Sequence, residues 1–435
     1  MNRIQKQITA ALALIILTSC GSTAPSQSAD TTNAAVSSDT TVTTAAETAV
    51  TSDTVPSVTT PAVPAEPVDL SKGLTDAMYS RAVLNTGNRA RLAAVMKRAE
   101  NGEKITIGTI GGSITQGTAA SNQNTCYAGL FRQYWEEKFP DAEIELVNAG
   151  IGGTNSYLGV HRADEQLLSY SPDVVVVEFS VNDTDMVRNK YSYDSLVRKI
   201  LTSESSPAVI LLFTTQENGT SLQDTHLQIG MAYDLPCLSY RDAVYPEVAA
   251  KTLDWKDISP DNIHPNDVGH SLIGQIISRY LDDVYADIDN IGTDTSFDTP
   301  AFTADYYKNA EMLSSADIEP VEMTGFVKGT NKVYPVLFPD NFVTEDEGYL
   351  KFETDCSCLG IFYLKTVDGK GGKYDVIIDG ERKGVIDANF KGGWGNYGET
   401  TQMLMGKESS HHTVEIKLSE GSEKTAMTIL GIMES

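Results

Sequence analysis

Apolar positions along the chain follow two rhythms, and the change from one to the other divides it. Between about residues 73 and 295, short apolar runs alternate with segments whose apolar residues recur every three or four positions. Runs such as DVVVVEF (173–179) and AVILLF (208–213) are apolar through their centres. Strands have that character when helices cover both of their faces, as in a parallel sheet. The pattern predicts strands near 104–110, 143–148, 173–179 and 207–214, and amphipathic helices near 88–100, 127–139, 192–203 and 268–281. Strand and helix alternating in this way imply a three-layer αβα sandwich around a central parallel sheet.

From about residue 300 to 435 the rhythm becomes that of half-buried strands, for example YLKFET (349–354), IFYLKTV (361–367), YDVIID (374–379), TVEIKL (413–418) and AMTILGI (426–432). Asp379-Gly380 is a hairpin turn signal, because both residues tolerate positive φ. These strands predict a second domain, a β-sandwich of jelly-roll type. It resembles the accessory domains attached to some carbohydrate esterases. Its loop GGWGNYG (392–398) presents Trp394 and Tyr397. Both are candidates to stack on sugar rings; the alternative is that they close the sandwich core or pack on the first domain.

The amino-terminal region follows neither rhythm. Arg3 and Lys6 precede an apolar run from Ile8 to Leu17, and Leu17-Thr18-Ser19-Cys20 follows. The run is short for a membrane span and has the form of a secretory signal. Residues 1–20 resemble a bacterial lipoprotein signal peptide. That resemblance implies that Cys20 carries the lipid, anchoring the protein to the membrane outside the cytoplasm. Residues 21–69 contain no aromatic residue, no Leu, Ile or Met, and no Lys or Arg. Such a stretch buries too little apolar surface to offset its chain entropy, so 21–72 is expected to be a disordered linker.

A net charge of −26 disfavours nucleic acid as a partner. The five cysteines do not form a disulfide framework. Cys356 and Cys358, two apart in a strand, are expected on one face, a poor geometry for a bridge. Cys126 and Cys237 pair only if the fold brings them together.

The chemistry gathers at the ends of the apolar runs of the first domain. Ser113 lies in GTIGGSITQG (108–117), directly after the strand pattern KITIGTI. A serine on a glycine-rich turn at the carboxyl end of a buried strand is placed as α/β enzymes place a nucleophile. NAGIGG (148–153) supplies backbone able to approach an oxyanion, and SVND (180–183) supplies the Asn182 amide. DNIH (261–264) sets Asp261 three residues before His264, so one turn joins a base to its orienting carboxylate. No lysine stands at the spacing a phosphate-binding loop requires, and Asn155 replaces the third glycine of a dinucleotide fingerprint. Thr115 occupies the position of the second glycine of G-x-S-x-G, against the α/β-hydrolase elbow. The histidines are scattered, and no metal or other cofactor is expected.

Over residues 88–285 these blocks resemble the SGNH (GDSL-like) hydrolase family, whose domain is flavodoxin-like. The resemblance implies Ser113 as nucleophile, His264 as base and Asp261 as its partner. It also implies Ser113 N–H, Gly153 N–H and the Asn182 side chain as oxyanion donors. Two blocks depart from the family pattern: Gly111-Gly112-Ser113 stands for Gly-Asp-Ser, and Ser180-Val181-Asn182-Asp183 for Gly-x-Asn-Asp. The reaction expected is serine esterase chemistry through an acyl-enzyme, removing small acyl groups, acetyl above all, from polysaccharides or oligosaccharides. The same blocks serve lipases, thioesterases and lysophospholipases, and a non-catalytic carbohydrate-binding scaffold is a further alternative.

Overall fold

The computed structural model describes residues 66–435. The expected signal peptide, Cys20 and the expected linker up to residue 65 lie outside the described residues. The first domain is built on a six-stranded sheet: β1 (Val83–Asn85), β2 (Ile105–Gly111), β3 (Ile144–Gly150), β4 (Val174–Glu178), β5 (Ala208–Phe213) and β6 (Cys237–Ser239), in the order β1-β6-β5-β4-β2-β3. All pairs are parallel except β1 with β6, so the sheet is mixed at one edge rather than wholly parallel. Its helices are α1 (Asp76–Ala82), α2 (Ala90–Glu100), α3 (Ser113–Gln116), α4 (Tyr127–Lys138), α5 (Ser156–Gln166), α6 (Arg188–Leu201), α7 (Gln223–Ala232), α8 (Tyr240–Ala250), α9 (Trp255–Ile258) and α10 (Asp267–Ala286).

The apolar runs are explained by two separate cores. Val174 and Val176 of β4 face a core shared with Leu92, Phe131, Ala243 and Ile273, from α2, α4, α8 and α10. Val175 and Val177 face the other side, against Leu158, Leu196 and Ile229 of α5, α6 and α7. A strand packed on both faces has no use for a polar alternation.

The second domain contains β7 (Glu311–Leu313), β8 (Glu322–Thr324), β9 (Val327–Gly329), β10 (Asn341–Thr344), β11 (Tyr349–Lys365), β12 (Lys373–Ile378), β13 (Glu381–Asp387), β14 (Tyr397–Leu418) and β15 (Met427–Glu434). It is an all-antiparallel β-sandwich. YLKFET and IFYLKTV are not separate strands but two ends of β11, and TVEIKL is the end of the longer β14. Their pairing is kept continuous past the polar middle by register irregularities at Cys356/Cys358 and Leu359/Gly360. The Asp379-Gly380 hairpin joins β12 to β13, with φ of 53° and 77°.

The two domains share a core. In the second half of β11, Leu359, Ile361 and Tyr363 face the sandwich interior. Cys358, Phe362 and Leu364 turn the other way, into the core that contains α5 and α6. Leu430 and Met433 of β15 join them there. The expectation for the cysteines is thereby corrected. Cys356 lies in the sandwich core and Cys358 in the shared core, because the irregularity between them reverses the alternation. Cys126, Cys237, Cys356 and Cys358 are all free and buried.

The linker expectation fails at its carboxyl end. Val68 N–H donates to the Thr252 carbonyl at 2.8 Å, and residues 70–72 form a short 3₁₀ turn capped by Asp69. Val68 and Leu70 pack against the first core, and two apolar side chains suffice to dock this segment.

Candidate active site

The strands deliver their turns to one edge of the sheet. β2 lies between β3 and β4, so the turns that follow these three strands are neighbours at their carboxyl ends, where such sheets bind ligands. Ser113 follows β2, Gly152-Gly153 follow β3, and Asn182 follows β4. His264 arrives from the loop before α10.

His264 Nε2 is 2.9 Å from Ser113 Oγ, and its Nδ1 is 2.8 Å from Asp261 Oδ2. With the ring proton on Nδ1 toward Asp261, Nε2 is free to accept from the serine hydroxyl. The other oxygen of Asp261 accepts from the backbone N–H groups of Ile263 and His264, at 2.8 and 2.7 Å. Partial burial would raise the Asp261 carboxyl, but these hydrogen bonds and the His264 ring outweigh it and hold it below the usual carboxylate range. Behind it, Ser259 Oγ lies within hydrogen-bond distance of the carbonyls of Asp261 and His264, able to donate to either, and Trp255 Nε1 donates to that of Asp261. The loop is therefore set before any substrate arrives.

The oxyanion candidates converge on the same serine. A methyl group placed on Gly152 would lie 3.6 Å from Ser113 Cβ, which puts the Gly152-Gly153 turn beside the nucleophile. Gly153 has φ 73°, and the Gly152 N–H is pinned by Gln116 Oε1 at 2.8 Å. The Asn182 amide packs so closely on Gly112 that any Cβ there would collide with it. The Gly-Gly-Ser block is thus explained: the family's acid at position 112 would leave no room for Asn182 where this chain holds it. Ser113, His264 and Asp261 are joined by hydrogen bonds, and Gly153 and Asn182 lie on the turns beside them.

Trp394 and Tyr397 reach it from the second domain. Their rings come within 3.5 and 3.6 Å of a methyl placed on Gly153, and they lie on each other with centroids 4.7 Å apart. Phe390 supports both edge-on. Trp394 keeps 63 % of its surface exposed, so the contact leaves most of the indole open to solvent.

Three supports were not anticipated from the sequence. Arg162 of α5 is buried and donates to the carbonyls of Gly111 and Ala149, at 3.1 and 2.8 Å, tying together the ends of β2 and β3. Burial pulls its guanidinium down to about 9. Glu178 ends β4 behind the Asn182 turn, accepting from Thr214 Oγ1 at 2.7 Å and from Ser180 N at 3.2 Å. Burial pushes it up to about 7, against hydrogen bonds from Thr214 and Ser180 that pull the other way. Asp183 forms a buried contact with His226. Glu178 was visible as the lone acid in an apolar strand; Arg162 and His226 carried no local signal.

A serine hydroxyl bonded to a histidine whose other ring nitrogen meets a carboxylate is the arrangement of a serine hydrolase. The model of the GDSL-like lipase/acylhydrolase family matches residues 109–272. Crystal structures of a two-domain esterase (CEX) active on acetylated mannans align over 82 % of this chain and 98 % of that one, at 34 % identity and a TM-score of 0.77. The same esterase co-crystallised with mannopentaose aligns at 33 % identity and a TM-score of 0.76, over 82 % and 97 % of the two chains. No curated protein matches the sequence. The chain belongs to the GDSL-like lipase/acylhydrolase family, and it is a carboxylic ester hydrolase.

Proposed function

We propose that the protein is an extracytoplasmic carbohydrate acetylesterase, held to the membrane by a lipid on Cys20, that removes acetyl groups from polysaccharides or oligosaccharides. His264 takes the Ser113 hydroxyl proton as Oγ attacks the acetyl carbonyl. The N–H groups of Ser113 and Gly153 and the Asn182 amide receive the developing oxyanion. His264 then returns the proton to the departing sugar oxygen, leaving an acetyl-serine that water hydrolyses by the same relay. The observation that carries the carbohydrate part is the contact of Trp394 and Tyr397 with the oxyanion turn, which sets a flat aromatic face beside the reacting group. The two-domain esterase that aligns over 82 % of this chain acts on acetylated mannans, and the lipobox-like Leu17–Cys20 supports the location.

Acetate release from acetylated mannan, acetylated xylan and an aryl acetate tests this reading. Ser113→Ala should lower all three rates by several orders of magnitude, since triad members act as a unit. Trp394→Ala should raise KM on the polysaccharides about 3- to 10-fold, in line with ~0.5–1.5 kcal/mol for an aromatic contact, and leave the aryl ester unchanged. Turnover surviving in Ser113→Ala would end the mechanism. Identical kinetics of Trp394→Ala on polymer and aryl ester would end the carbohydrate assignment.

A further inference from the structure

Directly beneath the oxyanion donors lies a second acid–imidazole pair that takes no part in the proton relay. Asp183 follows Asn182, and its side chain and that of His226 are both 0 % exposed. One Asp183 oxygen is 3.0 Å from His226 Nε2, and the other accepts from the backbone N–H of Ser156 at 2.8 Å. Ser156 is the first residue of α5, three beyond Gly153. A carboxylate meeting the first turn of a helix is favourably placed against the helix dipole. The same carboxylate therefore grips the turn that holds one oxyanion donor and is covalently joined to the residue that holds the other.

The imidazole is fixed in turn. His226 lies flat on Tyr193 of α6, with centroids 3.6 Å apart and planes 3° apart. Its Nδ1 is buried without a hydrogen-bond partner. A buried N–H without an acceptor costs more than a bare ring nitrogen, so the ring proton belongs on Nε2, directed at Asp183. α7 also holds the Asn182 turn by backbone, Leu222 N donating to the Ser180 carbonyl at 2.6 Å. The hydroxyls of Ser156 and Ser192 meet at 2.7 Å, linking α5 to α6.

We propose that Asp183 and His226 are positioning residues that fix the distance between the Gly153 and Asn182 donors, so that both meet one oxyanion. The proposal rests on the reading of those two groups as oxyanion donors. A loosened pair leaves substrate binding intact and misplaces donors that matter only when charge develops, so its signature lies in kcat.

His226→Phe keeps a ring against Tyr193 and removes the donor, whereas His226→Gln restores an N–H near the position of Nε2. With an aryl acetate, His226→Phe should lower kcat about 10- to 100-fold with KM little changed, and weaken inhibition by phenylboronic acid, a tetrahedral mimic, by a similar factor. His226→Gln should recover most of both. A His226→Phe enzyme with lowered Tm but unchanged kcat and inhibition would overturn the proposal, as would equal losses in both variants. Asn182→Ala separates the two levels. If it too leaves kcat intact, the oxyanion reading falls and the proposal with it; if it cuts kcat while His226→Phe does not, only the positioning role falls. Nitrogen-15 NMR of the unmutated protein needs no variant to fold. It should show a slowly exchanging Nε2–H of His226 that shifts on boronic acid binding, and a ring protonated on Nδ1 alone would overturn the pairing.

Discussion

Gly112 carries a constraint that no spacing rule expresses. Its missing side chain is the space in which the Asn182 amide lies, so Gly112→Ala must move either the nucleophile turn or the amide. The expected result is a kcat lowered by about 10²-fold with KM little altered, the scale of losing one oxyanion donor; unchanged turnover would mean that Asn182 is not held against the serine turn. Ser113, Gly153 and Asn182 were legible because each stands in a short run just after an apolar strand, and Asp261 and His264 because they share one turn. Arg162 and His226 were not, because their partners are Gly111, Ala149 and Asp183, residues remote in sequence that only the folded sheet brings near.

Among elements, those with a strong apolar signature were found and the marginal ones were missed. β2, β4 and β5 are buried along their whole length, and the expected runs overlap them closely. β1 and β6 have three residues each, too few to establish a period, and α8 continues through Pro246. β11 was split and β14 was cut to its last six residues, because exposed polar positions in their middles imitate turns. The end of β4 also predicts a pH effect. An unfolded Glu178 ionises near 4.3, whereas the folded one does so at about 7. Below the lower value both states hold the proton and nothing changes; between the two, the unfolded chain alone is ionised, so stability falls as pH rises. The total is about 4 kcal/mol, complete by pH ~8. Urea unfolding at pH 5 and pH 8 should therefore show Glu178→Gln gaining on the unmutated protein at the higher pH, and parallel pH dependences would mean that Glu178 titrates normally.

For the whole molecule, the sequence marked where the second domain begins but not how firmly it is joined. The alternating apolar positions of β11 serve two cores, and one set cannot be recognised as an interface from its own strand. Phe338, Cys358, Phe362, Leu430 and Met433 are buried at 3 % exposure or less, in a core with Tyr157, Leu158 and Leu196. Covering apolar surface on that scale is normally worth several kcal/mol, with ~1.5–3 kcal/mol for each large side chain. A chain ending at residue 295 should consequently be recovered aggregated or partly unfolded; a soluble, folded monomer with full activity on an aryl acetate would show that the first domain stands alone. The shared core also bears on descent. A recombination event that exchanged the sandwich for an unrelated one would strand these side chains in water, a cost that favours inheriting the two parts together. The Phe390–Asn396 stretch before β14, which carries the exposed Trp394 beside Gly153, can by contrast change by a few codons while the partnership beneath stays intact.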